Sequence, residues 1–162
     1  MQKIVPFLWF DRNAEEAMNF YTSVFKDGKI LSIQRYPDGP LEGPMKGFEG
    51  QVLTGVFEIM GQRFMALDGG LIFKFNESIS MYVGCEDQAE IDYYWEKLSA
   101  VPESEQCGWL KDKFGLSWQI VPKQLEEMSS NPDKEKSSRV MQAILKMKKI
   151  DIAELKKAYD GE

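Results

Sequence analysis

Two side chains in this sequence have the chemistry of a catalytic group, the thiol of Cys107 and the carboxylate of Asp68. A nucleophilic Cys107 needs a base or a cation to form its thiolate, and only Lys111 and Lys113 lie nearby in sequence. Asp68 ends a strand-like run just before a glycine pair, where a desolvated carboxylate can act as a general base. The simpler interpretations, a buried structural thiol and a turn aspartate, stay open for both residues.

The sequence contains no histidine among its 162 residues. Histidine is the commonest metal ligand and the only side chain whose ordinary pKa lies near neutrality. Its absence removes most familiar metal-site and catalytic-triad chemistries, so we expect no metal and no cofactor. The net charge of -6, from 26 acidic and 20 basic residues, also argues against a nucleic-acid partner.

The first residues do not predict a membrane or export segment. The mostly apolar run before Asp11 is too short for a signal-peptide core or for a span across a bilayer. We therefore expect a cytoplasmic protein without a membrane partner. In that compartment Cys85 and Cys107 would both stay reduced.

A hairpin from Cys107 to Pro122 is the clearest structural element. Two tryptophan-bearing apolar runs flank a turn at Asp112 to Gly115, where glycine can adopt a positive φ. A weaker copy occurs upstream, since Gly61 to Asp68 aligns with Gly115 to Pro122. The repetition indicates a duplicated unit.

The hydrophobic periodicity of the remaining chain supports this duplication. In the first half it predicts a strand over 3–10, a helix over 14–25, a strand over 29–36, a proline- and glycine-rich loop over 37–50, and strands over 51–60 and 62–68. The second half repeats the order with a strand over 79–85, a helix carrying Ile91 to Leu98, a reduced strand near 100–106 and the hairpin. We therefore predict an α+β fold of two βαβββ modules, at 3–70 and 71–122, with a helical tail at 123–162, all in one globular domain.

Several segments carry a resemblance to a known family: Pro6 to Asp11, Ala14 to Ala17, Phe20-Tyr21, Phe73 to Asn76, and Cys107 to Pro122. With its paired modules, the chain resembles the vicinal-oxygen-chelate superfamily, which includes glyoxalase I, extradiol dioxygenases and the bleomycin- and fosfomycin-resistance proteins. Within it the chain looks like the PhnB-like subgroup, often labelled 3-demethylubiquinone-9 3-methyltransferase. The resemblance extends over nearly the whole chain, tail included. It implies curved mixed sheets around a concave cavity, and a homodimer.

The resemblance also implies where a metal would bind in related enzymes. Their closing motif falls on Asp112 to Gln119, so Gln119 stands in place of the usual glutamate ligand, and its counterpart in the first module is Met65. The first-strand histidine positions fall near Ile4 or Val5 and near 78–80, which offer no good ligand. We therefore expect neither glyoxalase nor dioxygenase activity. No glycine-rich cofactor turn follows Phe10, so we do not expect S-adenosylmethionine-dependent methyl transfer either.

A ligand pocket follows if Gln119 faces the cavity as the family's ligand position does. Strand alternation then brings Ser117 and Val121 to the same face, and places Cys107 and Lys111 together with Trp109 on the next strand. The pocket candidates are the apolar and aromatic residues Phe7, Trp9, Met65, Tyr82 and Trp109, with Ser80, Asp68 and Gln119 as polar groups. The alternative is that these aromatic side chains fill the concavity themselves.

The sequence thus leads to a metal-independent protein that binds a small organic ligand of unknown identity. Two alternatives stay open. One is an enzyme of unassigned chemistry on a small metabolite. The other is an interaction protein with a vestigial pocket.

Overall fold

Two units make up the structure, a computed structural model that describes residues 2–162. One unit ends at Lys74, and the other runs from Phe75 to Glu162. Each unit contains an open mixed sheet with helices, so the α+β class predicted from the sequence is confirmed.

The first unit has the predicted βαβββ order. Its elements are β1 (Phe7–Phe10), α1 (Ala14–Val24), β2 (Lys29–Arg35), β3 (Val52–Ile59) and β4 (Gln62–Asp68). The strands lie in the order β1-β4-β3-β2, with β1 parallel to β4 and the other neighbours antiparallel. The first and last strands of the unit are therefore adjacent, which places Phe7 opposite Met65 and Trp9 opposite Leu67.

One face of this sheet packs against α1. The helix buries Ala17, Met18 and Tyr21 on a single stripe, as its apolar spacing predicts. The ring of Tyr21 stacks on Phe57 of β3 at 6.1 Å, and Phe57 stacks on Phe64 of β4 at 5.3 Å. Burial of each such ring contributes about 1.5–3 kcal/mol, so this layer is the core of the unit.

The second unit has one strand fewer than predicted. Its sheet consists of β5 (Ser80–Cys85), β6 (Trp109–Lys111) and β7 (Ser117–Pro122) in the order β5-β7-β6, with α2 (Gln88–Leu98) between β5 and β6. The reduced strand expected near 100–106 is instead a loop with a short 3-10 turn at Pro102–Ser104.

Two prolines account for differences from the predicted strand bounds. Proline has no backbone N–H to donate to a sheet. Pro102 therefore opens a turn where the second module would have needed a fourth strand. In the first unit β1 begins at Phe7 rather than Lys3, directly after Pro6, whose carbonyl still accepts a hydrogen bond from the Met65 N–H.

The helical tail is part of the second unit. It consists of α3 (Gln124–Ser129), α4 (Lys134–Ile144) and α5 (Ile152–Asp160). Val121 of β7 is buried in one cluster with four tail residues: Val140, Ile144, Ile150 and Leu155. The side chain of Gln88 also contacts the tail twice, donating to the Ile150 carbonyl and accepting from the Ile152 N–H. The tail therefore covers one end of the second sheet.

Three of the longer helices begin with an aspartate cap. Asp87, Asp133 and Asp151 each accept a backbone N–H of the following turn at α2, α4 and α5. The longest helices have 11 residues. Among residues 2–162, no helix has both the length and the apolar character needed to cross a membrane.

Candidate functional site

Asp68, the last residue of β4, is a structural residue whose carboxylate accepts a hydrogen bond from the start of α1. Its side chain is only 1% exposed. One carboxylate oxygen accepts from the Ala14 N–H and the other from the Val52 N–H, both at 2.9 Å. Asn13, the cap position of α1, makes no side-chain capping bond, so Asp68 supplies from β4 the acceptor that the predicted Asp11 to Asn13 cap does not. Asp68 therefore joins helix, β3 and β4.

Asp68 also lies on the opposite face from Met65. Along β4, Phe64, Ala66 and Asp68 are buried, whereas Arg63, Met65 and Leu67 alternate with them. Burial raises the pKa of the Asp68 carboxyl, while the N–H groups of Ala14 and Val52 act in the opposite direction. The structure thus places Asp68 on the face opposite to Met65, because three residues along a strand reverse the face.

The other three candidates of the first unit share its open face. Phe7 is exposed, and Trp9 and Met65 are half-buried. Phe7 and Met65 are direct neighbours on β1 and β4. The indole N–H of Trp9 donates to the Gly70 carbonyl at 2.8 Å, and the ring of Phe73 packs edge-on against it at 4.9 Å. Trp9 is thereby fixed in its orientation.

The four candidates of the second unit also lie together. Gln119 of β7 is the cross-strand neighbour of Tyr82 on β5 and of Trp109 on β6. Ser80 lies two residues before Tyr82, so all four side chains project from one face of the sheet. Burial raises the pKa of the Tyr82 hydroxyl, with the charge of Glu126 acting in the same direction. Tyr82 is therefore a neutral phenol at pH 7.

Gln119 uses its amide to contact Ser80. The Gln119 Nε2 atom donates to the Ser80 hydroxyl at 2.8 Å across β7 and β5. The other neighbours, Tyr82 and Trp109, offer no ligand for a divalent metal. In the part of the chain that the structure describes, no three His, Cys, Asp or Glu residues are grouped so as to hold a metal ion. The residues around Gln119 therefore do not fit the metal that the superfamily's enzymes hold.

A cavity of about 420 Å³ opens beside β6. Trp109, Leu110 and Cys107 give it apolar walls, and Ser117 reaches it from β7. Its remaining lining residues are Glu77, Ser104 and Gln106. The second unit thus combines an apolar wall with a few polar groups, as small-molecule sites do.

Two polar lining residues of this cavity, Ser117 and Glu77, are both neighbours of Lys111. The Ser117 hydroxyl is buried and has no hydrogen-bond partner within residues 2–162. Lys111, the cross-strand neighbour of Ser117, donates from Nζ to the Glu77 carboxylate at 2.5 Å. That hydrogen bond from Lys111 holds the pKa of Glu77 below its ordinary value.

The tail positions the turn at the other end of the cavity. Gln106 and Trp109 exchange backbone hydrogen bonds around a two-residue turn, with φ of 54° at Cys107 and 83° at Gly108. A left-handed φ is unfavourable for cysteine, so other contacts must hold this turn. The Cys107 N–H donates to the Met147 carbonyl, and the Gly108 N–H donates to the Lys148 carbonyl, each at 2.8 Å. The tail therefore fixes the start of β6 and, with it, Trp109.

The two cysteines are both free, and they differ in their surroundings. Burial raises the pKa of the Cys85 thiol to about 12, so it stays protonated at neutral pH. Cys107 is half-buried and lines the cavity, and its sulfur accepts from Gln106 Nε2 at 3.3 Å.

Sequence reasoning did not identify the polar groups of the cavity. Alternation placed Ser117 and Lys111 on the relevant faces, but it gave no sign that the Ser117 hydroxyl is unpaired. Glu77 lies 34 residues from Lys111, and no motif links the two. A long-range ion pair between surface-type residues has no sequence signal.

The comparisons with known proteins decide the family. The model of the 3-demethylubiquinone-9 3-methyltransferase family matches residues 2–121. The chain belongs to this family. Its match ends before the helical tail, so the expected inclusion of the tail in the resemblance is not supported.

Solved structures support the same assignment. The PhnB protein from Bacillus cereus is 42% identical, with a TM-score of 0.61, over 75% of this chain and 99% of that one. A protein from Pseudomonas aeruginosa is 19% identical, with a TM-score of 0.58, over 75% and 98% of the two chains, which shows the fold alone. A comparison with curated proteins gives no match. The resemblance to the PhnB-like subgroup is thus confirmed.

Proposed function

We propose that this family member is a metal-independent protein that binds a small organic molecule in the cavity of its second unit. The carrying observation is that the 420 Å³ cavity brings the indole of Trp109 together with a buried Ser117 hydroxyl that lacks a partner. Buried polar groups are normally hydrogen-bonded, so an unpaired one at a cavity is a natural ligand contact.

Metal independence rests on the donor set. The chain has no histidine, and Gln119 occupies the position where related enzymes carry a carboxylate. Its amide contacts the Ser80 hydroxyl, which is a poor metal ligand. Elemental analysis of untagged protein should show less than stoichiometric metal. One tightly bound divalent ion per chain would overturn this part of the proposal.

A fragment screen tests the binding site. Aromatic fragments should raise the melting temperature of the intact chain, because a ligand that binds only the folded state stabilises it. Trp109→Ala should abolish that shift, whereas Trp95→Ala, a half-buried tryptophan on α2, serves as the matched control. A screen without any hit that depends on Trp109 would favour the vestigial pocket.

The family name suggests a second candidate, methyl transfer. That reaction needs S-adenosylmethionine, and the usual glycine-rich cofactor turn after the first strand is not present at Asp11 to Asn13. Titration of the protein with S-adenosylmethionine should therefore give no heat of binding. Saturable micromolar binding would make the enzyme the better proposal.

We also propose that the protein forms a homodimer. Leu71, Ile72 and Phe73 are consecutive large apolar residues with exposures of 68%, 73% and 62%. A contiguous apolar patch of this kind is typical of protein interfaces, and a second copy is the partner that is always available. Sedimentation should give twice the 18.6 kDa of one chain, and Ile72→Asp should shift the species towards the monomer.

The free thiols bear on the compartment. Cys85 and Cys107 are unpaired, as in proteins kept under reducing conditions. On this basis we propose a cytoplasmic location, which cell fractionation tests.

A further inference from the structure

We infer that the cavity of the second unit selects an aromatic carboxylic acid, whose carboxylate binds between Lys111 and Ser117. This inference rests on the proposed binding function and adds the chemical class of the ligand. It follows from the placement of one cation, one unpaired hydroxyl and one aromatic ring on neighbouring strands.

The cation and the hydroxyl lie side by side. Lys111 on β6 and Ser117 on β7 are direct cross-strand partners, so their side chains leave the same face of the sheet. Cβ atoms of such partners lie about 4.5–5.5 Å apart. An anion above this pair can accept from the ammonium and from the hydroxyl together.

The Ser117 hydroxyl is a hydrogen-bond donor without an acceptor in the described chain. Ser117 lines the cavity and is 1% exposed, and its hydroxyl finds no hydrogen-bond partner within residues 2–162. A buried hydroxyl without a partner is unfavourable, and a charged acceptor makes the strongest hydrogen bond to it.

Lys111 already binds a carboxylate from the chain itself. Its Nζ atom lies 2.5 Å from the Glu77 carboxylate, and Glu77 also lines the cavity. The lysine side chain is 21% exposed, whereas that of Glu77 is 62% exposed. The glutamate can therefore move into solvent at little cost, while the lysine stays beside Ser117, its cross-strand partner in the cavity lining. Glu77 stands in for the carboxylate of a ligand.

Trp109 determines the rest of the ligand. It lies two residues before Lys111 on the same face of β6 and lines the cavity. An aromatic ring that packs on this indole keeps its carboxylate within reach of Lys111. An acid without an apolar body would leave the wall uncovered.

The test uses isothermal titration calorimetry on the full chain to compare a charged probe, 3-phenylpropanoate, with a neutral probe of equal size, 3-phenylpropanamide. The acid should bind about tenfold more tightly than the amide, as expected for a hydrogen bond to a charged group. Lys111→Met and Ser117→Ala should each remove most of this preference. Lys113→Met, an exposed lysine in the adjacent turn, is the charge-matched control and should keep the preference.

Glu77→Gln is the most discriminating variant, because it should strengthen acid binding, whereas damage to the fold would weaken it. Removal of the competing carboxylate should tighten acid binding about two- to fivefold, the range of an exposed ion pair. Circular dichroism checks the fold of Lys111→Met, and Lys111→Gln replaces it if that variant unfolds. Equal affinity for both probes, or weaker acid binding in Glu77→Gln, overturns the carboxylate site but leaves the cavity as a binding site. If neither probe binds in a manner that Trp109→Ala abolishes, the proposed function fails as well.

Discussion

The side-chain amide of Gln119 donates a hydrogen bond to the hydroxyl of Ser80 at 2.8 Å, across the first and last strands of the second unit. Related enzymes use these two strands to bring metal ligands together. Here the same strands bring together an amide and a hydroxyl, which form a hydrogen bond with each other.

Gln119→Glu should not create a metal site. The carboxylate can accept from the Ser80 hydroxyl, so we expect the free energy of unfolding to change by less than about 1 kcal/mol. One carboxylate without two further ligands does not hold a divalent ion. Metal content after dialysis against zinc should match that of the wild type, and a gain of one equivalent would contradict the geometry.

Asp68→Asn should destabilise the first unit strongly. An amide would turn an NH₂ group towards either the Ala14 N–H or the Val52 N–H, so one buried donor would lose its acceptor. We expect a loss of about 1–3 kcal/mol. Urea unfolding measures it, with the exposed Asp38→Asn as the matched control. Wild-type stability in Asp68→Asn would show that the carboxylate is not structural.

Ser117→Ala should stabilise the ligand-free protein. It removes a buried hydroxyl that has no partner within residues 2–162, and burial of such a group costs about 1 kcal/mol or more. We therefore expect a higher melting temperature by calorimetry. Ser32→Ala, at an exposed position on β2, should change it little. A lower melting temperature for Ser117→Ala would mean that the hydroxyl has a partner in solution.

The two thiols should react at different rates. Because burial raises the pKa of Cys85 to about 12, this thiol is protonated and shielded at pH 8. Only the thiolate is the nucleophile, so the folded protein should expose one thiol, Cys107, to a disulfide reagent. The second should appear only after unfolding. Cys107→Ser should leave no fast-reacting thiol, and two fast thiols in the wild type would contradict the burial of Cys85.

Ile150→Ala should weaken the anchoring of the tail. Ile150 is fully buried in the cluster with Val121, and its Cδ1 atom lies 2.8 Å from where a side chain on Gly108 would begin. The resulting cavity should lower the free energy of unfolding by about 2–5 kcal/mol in chemical denaturation. Ile79→Ala, at a position that is 68% exposed, is the control. Equal effects of the two substitutions would mean that the tail is not docked on the sheet.

Local pattern predicted most of the elements, because helix and strand periodicities are properties of short segments. β4 occupies 62–68, as expected, and α1 differs from its predicted range by one residue. The hairpin turn forms at Asp112 to Gly115, with a φ of 87° at Gly115. The strand expected near 100–106 does not form, because Pro102 has no backbone N–H to donate to a sheet and opens a 3-10 turn instead.

The sequence by itself determined the α+β class and the family, and the resemblance to that family, together with strand alternation, grouped Ser80, Tyr82, Trp109 and Gln119 on one face. Only the tertiary structure decided the rest. It turned Asp68 towards the N-terminus of α1, placed Glu77 on Lys111, left the Ser117 hydroxyl unpaired and docked the tail on Val121. Each of these contacts depends on which residues from distant parts of the sequence come together in the fold. Hydrogen bonds and ion pairs between such residues produce no periodic pattern in a sequence.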